Sequence, residues 1–146
     1  MPGIRLGVLV SSDESLIEKI QKNTSIWNIN SFAEFFLQIF DKYKKFYGSA
    51  CDKIAEERAR FSSELSKIPG VKVYESQANY LLCKLSGEAE KIGSLGLAEK
   101  LLDGYNILIK DLSSKKGFEN GQFIRLAVRN CQDNDRLIFA LKEIFS

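Results

Sequence analysis

The stretches Ala78-Asn79-Tyr80-Leu81-Leu82-Cys83-Lys84-Leu85 and Gln122-Phe123-Ile124-Arg125-Leu126-Ala127-Val128 decide the fold class. Each is a short apolar run with polar flanks, which reads as a strand. Val71-Lys72-Val73-Tyr74 is another, set off from a helical region by Pro69-Gly70. Between the strands the spacing predicts a helix over about residues 95–103, stopped by Gly104 in a left-handed C-terminal conformation, then a strand over 106–111. A polar loop through residues 113–121 leads into the last strand. Asn130 then caps a final helix, with Asp133 three residues on as in a capping box. Leu137, Leu141 and Ile144 give that helix its apolar stripe, with Ile138 and Phe145 alongside. The second half therefore reads helix, two strands, helix, two strands, helix: an α/β domain (an α+β sandwich) with a mixed or antiparallel sheet packed on helices.

The first half has a different texture. Residues 4–10 are rich in Ile, Leu and Val and predict a buried strand. Ser11 and Ser12 are expected to cap the next helix, with Asp13 and Glu14 in its first turn, where the helix dipole favours negative charge. Leu16, Ile17 and Ile20 are its apolar side. After a break around Trp27, a helix from about Ser31 to Phe46 carries Phe32, Phe35, Phe36, Ile39, Phe40 and Tyr43 as a wide stripe, read as core or interface. Gly48 and Ser49 predict a kink or restart, and a third helix runs to about Ile68. Ile54, Phe61, Leu65 and Ile68 line one side of it, and Glu56 and Arg60 are spaced for an i,i+4 ion pair.

Composition narrows the function. The chain has 146 residues, 45% apolar and 27% charged, with a formal net charge of +2 from 21 basic and 19 acidic side chains. That size suits one ordinary domain and the composition is that of a globular protein. The charge balance gives no reason to expect nucleic acid or a membrane surface as a partner, and no apolar run approaches the ~18–20 residues of a membrane span. There are no histidines, which removes histidine bases, serine–histidine triads and histidine metal ligands from this chain; no metal site is expected. Cys51, Cys83 and Cys131 are odd in number and far apart, so neither a disulfide framework nor a zinc site is expected, and a reducing, cytoplasmic setting is. Cys83, inside an apolar run, reads as a small buried hydrophobe.

Two segments put an arginine into apolar surroundings: Pro2-Gly3-Ile4-Arg5-Leu6-Gly7 and Phe123-Ile124-Arg125-Leu126-Ala127-Val128-Arg129. A guanidinium there must pair with an internal carboxylate or reach an external anion. With the rest of the chain, these segments resemble the C-terminal portion of fold-type I, pyridoxal-phosphate-dependent aminotransferases of class I/II, in the branch of histidinol-phosphate aminotransferase and threonine-phosphate decarboxylase. Gly3, Arg5 and Gly7 match the Gly-x-Arg-x-Gly tail that follows the family's cofactor lysine. Trp27-Asn28-Ile29-Asn30 is similar to its Trp-x-Val-Asn stretch, Ser76 to Leu82 to its Ser-x-Ala-Asn-Phe-Leu strand, and Ile107 to Asp111 to its Ile-Leu-Val-Arg-Asp strand, with Lys110 in place of arginine. The likeness runs in order through nearly the whole chain.

The resemblance implies roles. Arg5 would hold the phosphate of pyridoxal 5'-phosphate, Arg125 the substrate carboxylate, and Arg129 a second anion such as a phosphate ester if the strand continues far enough to turn it to the same face. Asn30 is a weaker substrate-binding candidate, and Asn79 is as well suited to bonding local backbone. Lys110, Lys115 and Lys116 read as solvated surface. The resemblance further implies a large-domain remnant over residues 1–46 and a small C-terminal domain over 47–146. An amino acid or its phosphate ester is the implied substrate, and a homodimer the implied assembly. The family's cofactor lysine would fall just upstream of Met1, so these residues alone are expected to be inactive and to carry no cofactor. A non-catalytic α/β sensing or oligomerisation module is the alternative.

Overall fold

The computed structural model describes residues 3–145, so Pro2 of the N-terminal motif lies outside the described residues. The chain divides into two compact units, Met1–Gly48 and Ser49–Ser146. In chain order the elements are α1 (Glu14–Lys22), α2 (Ser31–Leu65), β1 (Val71–Val73), β2 (Tyr80–Leu85), α3 (Glu88–Ile92), α4 (Ser94–Tyr105), β3 (Lys110–Asp111), β4 (Gln122–Ala127) and α5 (Cys131–Phe145).

In the second unit the four strands form one antiparallel sheet in the order β1-β2-β4-β3. Its register opposes Tyr80 to Ala127, Leu82 to Arg125 and Lys84 to Phe123. Side chains alternate across a strand, so Leu81, Cys83, Leu85, Ile124 and Leu126 face one way and are buried. Against that face pack Phe61 and Leu65 of α2, Leu97 and Leu101 of α4, and Leu137, Ile138 and Leu141 of α5. Within the second unit no helix of the described residues joins the core from the opposite face, which presents Tyr80, Leu82, Lys84, Phe123 and Arg125. The core is therefore one layer of helices on one layer of sheet.

The turn from α2 into β1 closes on Gly70. Its φ is +81°, and a Cβ there would lie 2.7 Å from the Ser86 carbonyl oxygen and 3.0 Å from the Ala89 Cβ. The Gly70 carbonyl accepts from the Ser86 N–H at 2.8 Å. Only a residue without a side chain fits this approach.

Several expected boundaries move. Residues 4–10 form no strand: Val8 and Val10 are more than four-fifths exposed, and no ladder partner lies beside them among the described residues. A strand needs a neighbour for its backbone groups, whatever its side chains prefer. Gly48 breaks nothing. The two expected helices are the single 35-residue α2, because one internal glycine costs only about 1 kcal/mol relative to alanine. Asp13, not Ser11 or Ser12, caps α1, accepting from the Leu16 N–H at 3.0 Å. Gly104 lies inside α4, and Asn106, left-handed at φ 55°, ends it. The expected strand over 106–111 shortens to Lys110–Asp111. Ile107 instead donates its N–H to Leu101 at the end of the helix. The capping pair Asn130 and Asp133 is present at the start of α5, where the Asp133 N–H donates to Asn130 Oδ1 at 2.8 Å and Asn130 Nδ2 donates back to Asp133 Oδ2 at 3.1 Å.

Candidate functional site

In the second unit, Arg125 stands on the uncovered sheet face. Its guanidinium carbon lies 5.1 Å from the centroid of the Tyr80 ring, the diagonal cross-strand neighbour. This contact uses none of the N–H donors of the guanidinium. Among the described residues no carboxylate or carbonyl engages those donors, whereas the other arginines of this unit are all taken. Arg58 donates to the Ala78 carbonyl at 3.1 Å, Arg60 pairs with Glu57 and Asp135, Arg129 pairs with Asp133, and Arg136 donates to the Tyr105 carbonyl. Lys110, expected to be plain surface, is directly opposite Arg125 in the ladder. Like charges in facing positions repel, so the pair favours an anion between them. Leu95, Leu102, Leu108 and Ala127 continue from these two cations into an open cleft of about 630 Å³, which the carboxylates Glu99 and Asp111 also line.

Arg129 is placed differently. β4 ends at Ala127, and only one further backbone bond, Val128 N–H to the Asn79 carbonyl at 2.9 Å, prolongs the pairing. Arg129 thus lies past the strand, and its Nε donates to Asp133 Oδ2 at 2.7 Å. That bond is the main reason the Asp133 carboxyl sits below its ordinary pKa. The Arg129 backbone is held at both ends by Asn134, whose Oδ1 accepts from the Arg129 N–H and whose Nδ2 donates to the Arg129 carbonyl, each at 3.1 Å. Nδ2 also donates to Glu57 Oε1 at 2.7 Å. Glu57 in turn accepts two bonds from Arg60, at 2.9 and 2.7 Å, which hold its carboxyl below the usual range. Arg60 reaches Asp135 at 2.8 Å as well, so the expected Glu56–Arg60 pair is replaced by Glu57–Arg60–Asp135. Asn134 is 1% exposed, and no pattern in the sequence marked it.

Tyr80 is led in by an ordered turn. Ser76 Oγ donates to the Tyr80 carbonyl at 2.7 Å and accepts from the Ala78 N–H at 3.1 Å. Asn79 contributes its backbone carbonyl to Val128, as above. Ser76 was legible only as part of a motif; Arg58, half-buried on a long helix, gave no signal at all.

The first unit holds the other two residues singled out by sequence. Arg5 is exposed, in a turn over residues 3–5, with its backbone in the left-handed region at φ 59°. No carboxylate pairs with it among the described residues. Asn30 uses both ends of its amide: Oδ1 accepts from the Ala33 N–H at 3.0 Å, capping α2, and Nδ2 donates to the Ile4 carbonyl at 2.9 Å. Arg5 and Arg125 belong to different units. Three of the expected stripe residues, Phe32, Phe35 and Tyr43, are exposed, while Phe36 and Phe40 pack ring to ring at 5.4 Å.

All three cysteines are free, Cys83 buried and Cys51 and Cys131 exposed. No cluster of three or more acidic or sulfur side chains suited to a metal occurs among the described residues, and no helix there is long and apolar enough to cross a membrane.

The family model for aminotransferase class I and II matches residues 1–141. The histidinol-phosphate aminotransferase of Thermoanaerobacter sp. (strain X514) is 35% identical, over 99% of this chain and 38% of that protein. The threonine-phosphate decarboxylase of Salmonella typhimurium is 29% identical, over the whole chain and 38% of that protein. Among solved structures, the histidinol-phosphate aminotransferase from Clostridium acetobutylicum superposes with a TM-score of 0.82 at 31% identity, over 99% of this chain and 42% of that one. The chain thus spans less than two-fifths of the length of these curated relatives.

Proposed function

Because the chain belongs to the aminotransferase class I and II family, we propose that it works as the C-terminal part of a pyridoxal-phosphate-dependent enzyme that transfers the amino group of, or decarboxylates, an amino acid or its phosphate ester. Residues 47–146 serve as the small, substrate-facing domain, and residues 1–46 belong with a larger cofactor-binding domain. The observation that carries this reading is Arg125, a guanidinium against the Tyr80 ring with its donors unclaimed. A rigid, bidentate fork suits a carboxylate, and clamping it fixes the α-carbon bond that is to break.

The donor set in the first unit fits a phosphate dianion: the Arg5 guanidinium is exposed on a turn and lacks an acidic partner among the described residues. Arg5 would hold that phosphate. Pyridoxal phosphate, when bound, supplies the electron sink for the pair left on the substrate α-carbon. Arg129 would take a second anion, such as the phosphate of a phosphorylated substrate, by exchanging its bond to Asp133. Asn30 stands further from a direct substrate role, since its amide is occupied at both ends. The three free thiols support a reducing, cytoplasmic setting, and the exposed apolar side chains of the first unit support a homodimer.

Steady-state kinetics of the enzyme carrying Arg125→Ala test the reading. Truncating one partner of a hydrogen-bonded charge pair costs about 2–5 kcal/mol, so kcat/KM should fall by that measure, with Arg125→Lys only partly restoring it. A kcat/KM within twofold of the unaltered enzyme would overturn the carboxylate role.

A further inference from the structure

The first unit contains a hydrogen-bond latch between Asn30 and the turn that carries Arg5. Asn30 caps α2 through Oδ1, and its own carbonyl accepts from the Glu34 N–H at 3.0 Å. The other end of the same amide, Nδ2, crosses 26 positions of sequence to the carbonyl of Ile4. Ile4 immediately precedes Arg5, whose positive φ is a conformation that branched and long side chains adopt only when their surroundings impose it. Ala33, the residue whose N–H completes the cap, is 1% exposed, so the anchor is buried while Arg5 is not. One side chain therefore joins a fixed helix end to the peptide bond that aims the arginine.

We propose that Asn30 is a positioning residue: by tying the Ile4 carbonyl to the N-terminus of α2 it holds the Arg5 turn in the geometry that receives the cofactor phosphate. This rests on the reading of Arg5 given above. The two functions of Asn30 are separable by chemistry. Asp and Ser both accept a bond at a helix N-cap, so Asn30→Asp and Asn30→Ser keep the cap. Neither keeps the latch: a carboxylate has no donor for the Ile4 carbonyl, and a serine hydroxyl is shorter than the amide it replaces. The neutral serine also controls for the charge that the aspartate brings close to Arg5.

The experiment compares the affinity of the full-length enzyme for pyridoxal 5'-phosphate with its affinity for pyridoxal, which lacks the phosphate, by equilibrium dialysis and cofactor fluorescence. Arg5→Ala should weaken binding of the phosphorylated form at least tenfold and leave pyridoxal binding within twofold. Asn30→Asp and Asn30→Ser should shift the same preference by about fivefold or more with unchanged far-UV helicity. Added to Arg5→Ala, they should shift it no further. If Arg5→Ala shifts the preference and the two Asn30 variants do not, or if they weaken both ligands equally, the latch is overturned and the role of Arg5 stands. If Arg5→Ala leaves the preference unchanged, the role of Arg5 falls and the latch falls with it.

Discussion

Replacing Asn134 by aspartate exchanges an amide nitrogen with two N–H donors for a carboxylate oxygen with none, and leaves the shape of the side chain. Oδ1 would still accept from the Arg129 N–H. The two bonds donated by Nδ2, to Glu57 at 2.7 Å and to the Arg129 carbonyl at 3.1 Å, would be lost. A bond to a charged group is worth about 1.5–3 kcal/mol and a neutral one about 1 kcal/mol, so the direct loss is about 2.5–4 kcal/mol before repulsion is counted. For a unit of this size that corresponds to a fall in Tm of roughly 12–20 °C. The loss depends on pH, and its sign follows from the neighbours. A carboxyl introduced beside ionised Glu57 is harder to ionise folded than unfolded. Its folded pKa is therefore raised, and the variant's stability falls as pH rises through that value. Glu57 works the other way. Its pKa is lowered from 4.5, chiefly by the bond from Arg60, so its contribution in the unaltered chain is present above that value and is lost as pH falls through the lowered one. The gap between the two proteins should be widest at neutral pH and close towards pH 4 and below. Urea unfolding followed by far-UV circular dichroism, with hydrogen exchange at the amides of Leu81 and Ile124, reads the second unit. Trp27, the sole tryptophan, reports on the first and should not respond. A gap under 1 kcal/mol at pH 7, or one that does not change with pH, would refute this account of Asn134.

Other outcomes are as definite. In the full-length enzyme, Arg129→Ala should lower kcat/KM for a phosphorylated substrate at least tenfold more than for its unphosphorylated counterpart, while Asp133→Ala, which releases Arg129, should not; equal losses on both substrates would remove the second-anion role. A thiol reagent should modify the exposed Cys51 first, the exposed Cys131 more slowly because its bond to Asp135 pushes its thiol up, and Cys83 only on unfolding, since burial pushes that thiol up to about 12; peptide mapping orders the three sites. Val8, Ile26, Trp27, Phe32 and Phe46 are each at least four-fifths exposed, so the 146-residue chain should self-associate as its concentration rises, and a version beginning at Ser49 should not. Light scattering on both chains checks this, and equal association of the two would refute it.

The sequence was most informative where one residue type had one physical use. The apolar runs at 80–85 and 122–127 marked two strands, and Cys83, read as a small buried hydrophobe, is buried. The cap between Asn130 and Asp133 is local and was legible for the same reason. Residues 4–10 failed because strand propensity says nothing about whether a partner strand is within reach. Gly48 and Gly104 failed because a glycine permits a break without requiring one. Among the functional candidates, Arg125 was visible as a charge in an apolar strand. Lys110 was not, because its significance comes from the register that sets it opposite Arg125. Asn134 makes its most telling contact 77 positions away in Glu57, and no local pattern encodes that.

The closure at Gly70 has a consequence for the whole uncovered face of the sheet. Because its carbonyl must meet the Ser86 N–H, β1 enters beside β2 in a single phase, with Val71 opposite Leu85 and Lys72 opposite Lys84. Any side chain at position 70 would press on the Ser86 carbonyl and invite a slip by one residue. A one-residue slip exchanges the two faces of a strand. Lys72 would then point into the helices, and Val71 and Val73 would turn to solvent. Position 70 therefore acts as a parity setting for β1. It decides which side of that strand is oil and which is charge, although it contributes no side chain to either.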